Sequence, residues 1–400
     1  MTADFLCGAA SRIITPALED VPVYLAGFSN GRRATGVESD LYVRALAFRL
    51  GETTAAIVGV DLIGLDGSDV AQVREELASR DIDPSGVMIA CTHTHSGPDT
   101  IGLWGPDRAT PGVDARYLAH VKTTIVEAVI EALTFCCPVR LRAATTALPG
   151  YIANFRDPDV VDDSVAALQF VKIDEEVVGT IINLACHPEV LWDGSTLLSP
   201  DYAGAACRAV ESAAGGMALH LSGALGGMLS PDVDDTQRTP AFVAQMGDAY
   251  AAAALAALAA APLQDVTTLT ARRAEFRLPL DNPALALARE IGIVPPRPLK
   301  DGALTTSCTL LDLGAAQILS VPGEPLPRLG FALKAAMRGP VKLIACIADD
   351  EIGYIVPDDE FVPPSDYDNP GRQYEESMSL GPRTGSMVMA AALGLLDANR

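Results

Sequence analysis

Two of the five histidines in this 400-residue chain lie two positions apart, at His93 and His95 in the string THTHSGP (residues 92–98). The apolar run at residues 86–90 predicts a buried strand that ends at this string. Because side chains alternate along an extended backbone, both imidazoles are expected to point into one cleft. A neutral imidazole at the end of a rigid strand is a common metal ligand, so the string predicts a metal site. Two solvated histidines in a loop are the alternative.

A third histidine follows a strand in the same way. The apolar run at residues 180–185 predicts a strand that ends at His187, and Pro188 stops regular pairing directly after it. Metal ligands are usually gathered from several strand ends, so His187 strengthens the prediction of a metal site. The remaining two histidines are not expected to bind a metal. His120 is expected at a structural or exposed position on a helix, and His220 in the apolar core.

A glycine-rich loop at residues 222–232 follows another predicted strand and carries Ser230. Its glycines allow close approach of the backbone to an anion or a substrate. The loop lacks both the ending of a Walker loop and the GxSxG pattern of a nucleophile elbow, so it identifies neither kind of site.

The elements that must position these residues predict an α/β protein. Residues 55–61 and 86–90 read as parallel strands on either side of a helix capped by Ser68, which makes a βαβ unit. Asp61 and His93 would then lie at strand ends where open sheets place their sites, although a loop or capping role is the simpler interpretation of Asp61. No repeat or linker divides the chain. We therefore expect one domain over residues 1–400, with central mixed, largely parallel sheets flanked by helices.

Charge and composition exclude several classes of partner. A net charge of -22 repels phosphate backbones and anionic lipids, so we expect no nucleic-acid partner and no electrostatic membrane docking. The longest apolar tract, residues 249–261, is rich in alanine and short for a membrane span, which predicts a packed helix rather than stable membrane insertion. The first residues have no signal-peptide pattern and the eight cysteines form no CxxC, so we expect a cytoplasmic protein with reduced thiols.

Taken together, the motifs resemble those of the neutral/alkaline non-lysosomal ceramidase family over residues 13–385. THTHSGP is the most specific of them, and the others recur in the family's order. These others are Ile14-Thr15-Pro16, Arg44-Ala45, Val60-Asp61, His187-Pro188, Ser230-Pro231, Pro322-Gly323-Glu324, Gly353-Tyr354-Ile355, Tyr374-Glu375 and Gly381-Pro382. The resemblance implies the fold of the ceramidase catalytic domain, without the β-sandwich module that follows it in the ceramidases.

The resemblance also implies a site. Four residues would coordinate a catalytic Zn²⁺, namely His93, His187, Glu324 and Tyr354. His95 would stand beside the metal as a polar or acid/base group. Three further positions match residues that contact the substrate, take part in catalysis or stabilise an oxyanion, namely Arg156, Ser230 and Tyr374. Many zinc hydrolases use two imidazoles and a carboxylate and leave a position for water. We therefore expect a zinc-dependent hydrolase that cleaves the amide bond of a small molecule by metal-activated water.

The chain departs from the family pattern around the substrate. Met228 replaces a carboxylate in the family's Gly-Asp-Val-Ser-Pro segment, the Asn-Arg-Ser-Pro segment is reduced to NFRDP at residues 154–158, and Phe361 stands where a tyrosine is usual. The metal ligands are kept while the substrate-facing residues differ. The expected substrate is therefore a soluble N-acyl compound, a lactam or another cyclic amide rather than ceramide.

Three other interpretations stay open. An amidohydrolase barrel also carries His-x-His after a strand, and eight parallel strands in a closed barrel would identify it. A serine-dependent esterase would form an acyl-enzyme on Ser230, although no Ser-His-Asp order supports this. A zinc-stabilised binding protein would hold the metal without hydrolysing amides.

Overall fold

The structure, a computed structural model, describes residues 4–19 and 21–397. Its strands are β1 (Leu6–Ile13), β2 (Gly36–Val37), β3 (Tyr42–Leu50), β4 (Thr53–Val60), β5 (Val87–Cys91), β6 (Cys137–Pro138), β7 (Arg140–Ala147), β8 (Ile152–Asn154), β9 (Ser164–Val171), β10 (Val177–Leu184), β11 (Leu197–Leu198), β12 (Met217–Ser222), β13 (Leu229–Pro231), β14 (Thr270–Pro279), β15 (Ala303–Asp312), β16 (Ala316–Ser320), β17 (Glu324–Pro325), β18 (Val341–Ala345) and β19 (Tyr354–Ile355). Its helices are α1 (Gly67–Ala78), α2 (Ala115–Thr134), α3 (Asp201–Ala214), α4 (Pro240–Ala260), α5 (Pro283–Glu290), α6 (Pro327–Ala336), α7 (Tyr374–Ser377) and α8 (Thr384–Asp397).

Three larger sheets form the centre of the fold. Their strand orders are β5-β4-β3-β1-β6, β12-β10-β9-β7 and β14-β15-β16-β18. One face of each sheet contributes to a shared core, where Ile57 of the first, Leu168 of the second and Ile318 of the third are fully buried. Burial of these aliphatic side chains away from water is what holds the three sheets together.

Helices cover the outer faces of the sheets. The first sheet packs against α1 and α2, the second against α3 and α4, and the third against α6 and α8. Asp66, rather than the predicted Ser68, caps α1, because its carboxylate accepts a hydrogen bond from the Ser68 backbone nitrogen. Helix α4 is long and apolar enough to cross a membrane, judged by length and composition alone. Here Val243, Met246 and Tyr250 of α4 are buried against α3, as predicted for a packed helix.

The α/β class with mixed sheets is confirmed, but the expectation of largely parallel pairing is wrong. Only one pair in each larger sheet is parallel, namely β4 with β5, β10 with β12, and β16 with β18. The other neighbours are antiparallel, and some of them, such as β3 and β4 with two residues between them, are joined by short loops that allow no other direction. A parallel connection needs a crossover of a dozen or more residues. The predicted βαβ unit, β4-α1-β5, is confirmed.

The parallel pairs position the site. Strands β5, β10 and β16 each belong to one of them, and the chain beyond their carboxyl ends carries His93, His187 and Glu324 respectively. Each of the three sheets therefore delivers one candidate metal ligand, at the kind of edge where α/β proteins build their sites.

Candidate active site

His93 and His187 are held in the same way. The Nδ1 atom of His93 lies 2.6 Å from the carbonyl oxygen of Ile63, and that of His187 lies 2.8 Å from the carbonyl oxygen of Leu229. A carbonyl oxygen can only accept, so Nδ1 carries the proton in both rings. Each Nε2 is then left with a lone pair, which is the tautomer that a metal-binding histidine requires.

The two Nε2 atoms converge on one carboxylate oxygen. Oε2 of Glu324 lies 3.4 Å from Nε2 of His93 and 3.1 Å from Nε2 of His187. Burial would raise the pKa of Glu324, but the His93 charge and the hydrogen bonds of both imidazoles outweigh burial and lower it. Burial would likewise lower the pKa of His187, but its hydrogen bond to Glu324 and the charges of Glu189 and Glu324 raise it to about 9. The protein therefore favours a positive charge at this point, which a metal cation can supply.

His95 completes a buried cluster of three imidazoles. One ring nitrogen from each of His93, His95 and His187 lies within 4.8 Å of the other two, so the cluster can hold a metal ion. The prediction that His93 and His95 face one cleft is confirmed, because both line the same cavity. The extended backbone on which that prediction rested is wrong, since His93 has a left-handed φ of 66°. Such a backbone is uncommon for residues other than glycine and is often found at functional sites.

Glu189, which the sequence analysis left without a role, contacts both His95 and Ser230. Its Oε2 lies 3.1 Å from Nδ1 of His95, and its Oε1 accepts a hydrogen bond from the Ser230 hydroxyl. Burial raises the pKa of Glu189, and burial together with the charges of His93 and His187 lowers that of His95. The signal in the sequence was a carboxylate two residues after His187, in a turn fixed by Pro188.

The turn that carries His187 and Glu189 rests on a second buried carboxylate, Asp201. Its oxygens accept hydrogen bonds from the backbone nitrogens of Val190 and Leu191, each at 3.1 Å. Burial raises its pKa from 3.8 to about 6, despite these hydrogen bonds. Between about pH 4 and 6 the folded protein therefore binds this proton more tightly than the unfolded chain does.

It follows that the contribution of Asp201 to the free energy of unfolding falls as the pH rises through this window. We expect wild type to lose about 1 kcal/mol relative to Asp201→Asn between pH 5 and pH 8. Urea unfolding of both proteins at the two pH values measures this difference. If the free energies of unfolding of the two proteins change equally with pH, the raised pKa of Asp201 is contradicted.

Gly27 leaves room for the His95 ring. It has φ 102°, and an added Cβ would lie 2.4 Å from Cγ of His95. We expect Gly27→Ala to lower the turnover of any substrate processed at this site by about 10- to 100-fold, because the ring must move. Gly150→Ala is the matched control, since Gly150 has φ 79° and no atom within 4 Å of an added Cβ. Equal turnover in the two variants would mean that the position of His95 does not matter.

His93 and His95 of the cluster line a cleft whose space free of protein atoms, about 730 Å³, includes open solvent at its mouth. His93, His95 and Glu324 line one end of it. The remaining wall is mostly apolar, with side chains of Ile63, Ile101, Leu103, Trp104, Leu285, Val294, Ile352, Met378 and Leu380. A cleft of this composition suits a ligand with a polar reacting group and an apolar body.

Tyr354 and Tyr374 lie side by side in this cleft. Tyr354 pairs with Glu324 in the parallel bridge between β17 and β19, and its hydroxyl donates to Sδ of Met228 at 3.4 Å. The ring centroids of Tyr374 and Tyr354 lie 6.0 Å apart, and Tyr374 is 41% exposed. Burial and the charge of Glu324 raise the pKa of the Tyr354 phenol. Both residues thus reach the cleft, while their roles as a metal ligand and a substrate contact remain predictions.

Arg156 lies apart from the imidazoles. Its guanidinium is paired with Glu375 and with Glu376, the latter at 3.0 Å, and it lines a neighbouring cavity that Tyr374 and Met228 also reach. These two carboxylates raise its pKa, against the effect of burial. The predicted contact of Arg156 with substrate therefore requires a ligand that extends past Tyr374.

The other ionisable residues named from the sequence do not line the cleft. Asp61 forms a buried ion pair with Arg44 at 2.8 Å, and it accepts a hydrogen bond from the backbone nitrogen of Tyr42 at 2.9 Å. His220 is buried against the Tyr250 hydroxyl, and His120 is exposed on α2, as expected.

In the described residues the three larger sheets are mixed and separate rather than a closed barrel of eight parallel strands, so the amidohydrolase-barrel alternative is wrong.

Neither a protein-family model nor a curated protein sequence matches this chain. Solved structures of ceramidases do match it. A neutral ceramidase from Pseudomonas aeruginosa superposes with a TM-score of 0.80 at 17% sequence identity, over 100% of this chain and 75% of that one. A ceramidase complexed with C2 superposes with a TM-score of 0.78 at 18% identity, over 99% of this chain and 76% of that one. The resemblance drawn from the motifs is thus confirmed at the level of the fold, and this chain has the fold of the neutral ceramidases.

Proposed function

We propose that this protein is a zinc-dependent hydrolase that cleaves an amide bond. The observation that carries the proposal is the convergence of three hydrogen-bond acceptors, Nε2 of His93, Nε2 of His187 and Oε2 of Glu324. When both rings are neutral, these three acceptors repel one another unless a cation lies among them, so the cluster requires either a proton on an imidazole or a metal ion. The ceramidase fold supports the choice of an amide as the bond that is cleaved.

The spacing of these atoms fits zinc. Ligands about 2.0–2.1 Å from a tetrahedral zinc ion lie about 3.3 Å from one another. The two nitrogen-to-oxygen distances here are 3.4 and 3.1 Å. His93, His187 and Glu324 would hold the ion, with Tyr354 as the fourth ligand that the ceramidase resemblance implies. Two imidazoles and a carboxylate are a common set in zinc hydrolases.

A bound zinc ion would polarise the amide carbonyl and lower the pKa of a water molecule. The protein's own contribution is to hold and move a proton. Oε2 of Glu189 lies 3.1 Å from Nδ1 of His95, close enough to bias the orientation of the ring. Neither ring nitrogen of His95 has a hydrogen-bond partner among the described residues, and the ring lines the cleft. His95 can therefore take a proton from the attacking water and pass it to the leaving amine, which departs only when protonated. Tyr374 would contribute a hydrogen bond to the developing oxyanion.

The contacts of Ser230 favour water over serine as the nucleophile. A catalytic serine donates its hydroxyl proton to an imidazole, which acts as the base. Ser230 instead donates to Glu189, and it is 2% exposed. We assign Ser230 to fixing the Glu189 carboxylate that orients His95.

We propose a small N-acyl compound or a cyclic amide as the substrate, rather than ceramide. The apolar wall of the cleft suits an acyl group. Met228 stands in place of a carboxylate, and its Sδ accepts a hydrogen bond from the Tyr354 hydroxyl. The surface next to the proposed metal ligands is therefore less polar than a carboxylate would make it.

The experiment is removal and return of the metal. We expect chelated protein to lose amide hydrolysis over a panel of N-acyl and cyclic amides, and one equivalent of Zn²⁺ to restore it. Stoichiometric zinc without hydrolysis of any panel member would favour a binding protein. Turnover that survives chelation and is blocked by a serine-directed reagent would favour a serine esterase.

A further inference from the structure

The wall of the cleft contains one arginine among its apolar side chains. Arg289 lies near the end of α5, and it lines the cleft together with Leu285 of the same helix and Val294 of the following loop. Its side chain is 13% exposed. An arginine in such a place must be compensated by the protein or by a ligand, because burying a charge among apolar groups is costly.

The protein fixes the Arg289 guanidinium without using all of it. Nη1 donates to the carbonyl oxygen of Pro295 at 2.9 Å, and Nη2 donates to Oδ2 of Asp66 at 3.4 Å. A guanidinium has five N–H donors, so donors remain for a ligand in the cleft. A side chain held in this way is preorganised and loses little conformational entropy when it binds.

The carboxylate that neutralises Arg289 is shared. Asp66 also lies 3.7 Å from Arg297, and it caps α1 through the Ser68 nitrogen. Arg297 is itself held more closely by Asp350, at 2.6 Å. Because Asp66 has several partners and its bond to Arg289 is long, the charge of Arg289 is only partly compensated.

Glu351 provides a second polar group on the same wall. Its Oε1 accepts a hydrogen bond from the backbone nitrogen of Gly353 at 2.7 Å, whereas its Oε2 is buried without a hydrogen-bond partner among the described residues. The unpaired Oε2 needs a polar partner, which a ligand in the cleft can supply.

We infer that Arg289 binds a carboxylate, so that the amide bound in this cleft carries a carboxylate group. The inference rests on the proposed function for its substrate class, and it narrows that class to acidic amides such as N-acyl amino acids. A planar guanidinium and a carboxylate can form two parallel hydrogen bonds, which fix orientation as well as adding affinity. Arg289 is then a specificity-determining residue.

The test compares two ligands of similar size and shape, N-hexanoylglycine, which ends in a carboxylate, and N-hexanoylglycinamide, which ends in a neutral amide. Titration calorimetry on metal-free protein measures binding without hydrolysis. We expect wild type to bind the carboxylate about tenfold or more tightly than the amide, and Arg289→Gln to lose that preference. Arg297→Gln is the matched control: it removes an arginine that shares Asp66 but does not line the cleft, and it should keep the preference. Equal affinities in wild type, no binding of either ligand, or a preference that survives Arg289→Gln would overturn the inference.

Hydrolysis of the same pair separates this inference from the proposed function. If the zinc-loaded protein releases hexanoate from both compounds at equal kcat/KM, amide hydrolysis stands and the role of Arg289 fails. If it cleaves neither these nor the wider panel, the proposed function fails, while the binding ratio still decides whether Arg289 recognises a carboxylate.

Discussion

His187→Ala is expected to lose zinc and amide hydrolysis together. His187 is fully buried, its Nδ1 is tied to the Leu229 carbonyl, and its Nε2 faces Glu324, so its removal takes away one of the three converging ligand atoms. Lewis-acid stabilisation is worth several kcal/mol, so we expect kcat/KM to fall by about a thousandfold or more. Elemental analysis after dialysis measures the metal, and release of the amine measures turnover.

Two further variants make this result specific. His93→Ala should behave like His187→Ala, because the two imidazoles share one geometry around Glu324. His120→Ala is the control, since it removes an exposed histidine of α2 and should change neither quantity. Full zinc occupancy in both His93→Ala and His187→Ala would mean that the ligands are assigned wrongly.

His95→Gln is expected to keep zinc and to lower kcat by about 10²- to 10⁴-fold, the usual contribution of a general acid–base group. His95 belongs to the three-imidazole cluster, but its Nδ1 faces Glu189 rather than a backbone carbonyl. Metal content and turnover of the same preparation separate the two roles that this position allows. Loss of zinc in His95→Gln would make His95 a ligand.

Glu189→Gln tests the orientation of His95. The substitution keeps the size of a fully buried side chain but removes the charge beside Nδ1 of His95. We expect a lower kcat, a shifted pH profile of kcat and an unchanged zinc content. A pH profile identical to that of wild type would limit Glu189 to a structural role.

Much of the site could be predicted from the sequence because its ligands follow strands. An apolar run that ends abruptly on a histidine marks a strand end, and this local signal identified His93 and His187. Glu324 also follows a predicted strand, at residues 316–321, but a carboxylate at a strand end does not by itself indicate a metal ligand. It was assigned only through the resemblance to the ceramidases, and the structure then brings it within 3.4 Å of both imidazoles.

Long-range contacts explain what was missed. Glu189 meets His95 across the fold, and Arg289 reaches the cleft from α5, a helix whose sequence gives no sign of a binding site. The direction of strand pairing was also wrong, because apolar periodicity identifies a strand but not the direction of its neighbour. The βαβ unit β4-α1-β5 could be predicted because its crossover helix is clear in the sequence.

The most direct test of the zinc centre is anomalous X-ray diffraction at the zinc edge from crystals of the zinc-loaded protein. We expect one strong peak at about 2.0–2.2 Å from Nε2 of His93, Nε2 of His187 and a carboxylate oxygen of Glu324. A peak elsewhere, with these three side chains unliganded in an active enzyme, would contradict the account.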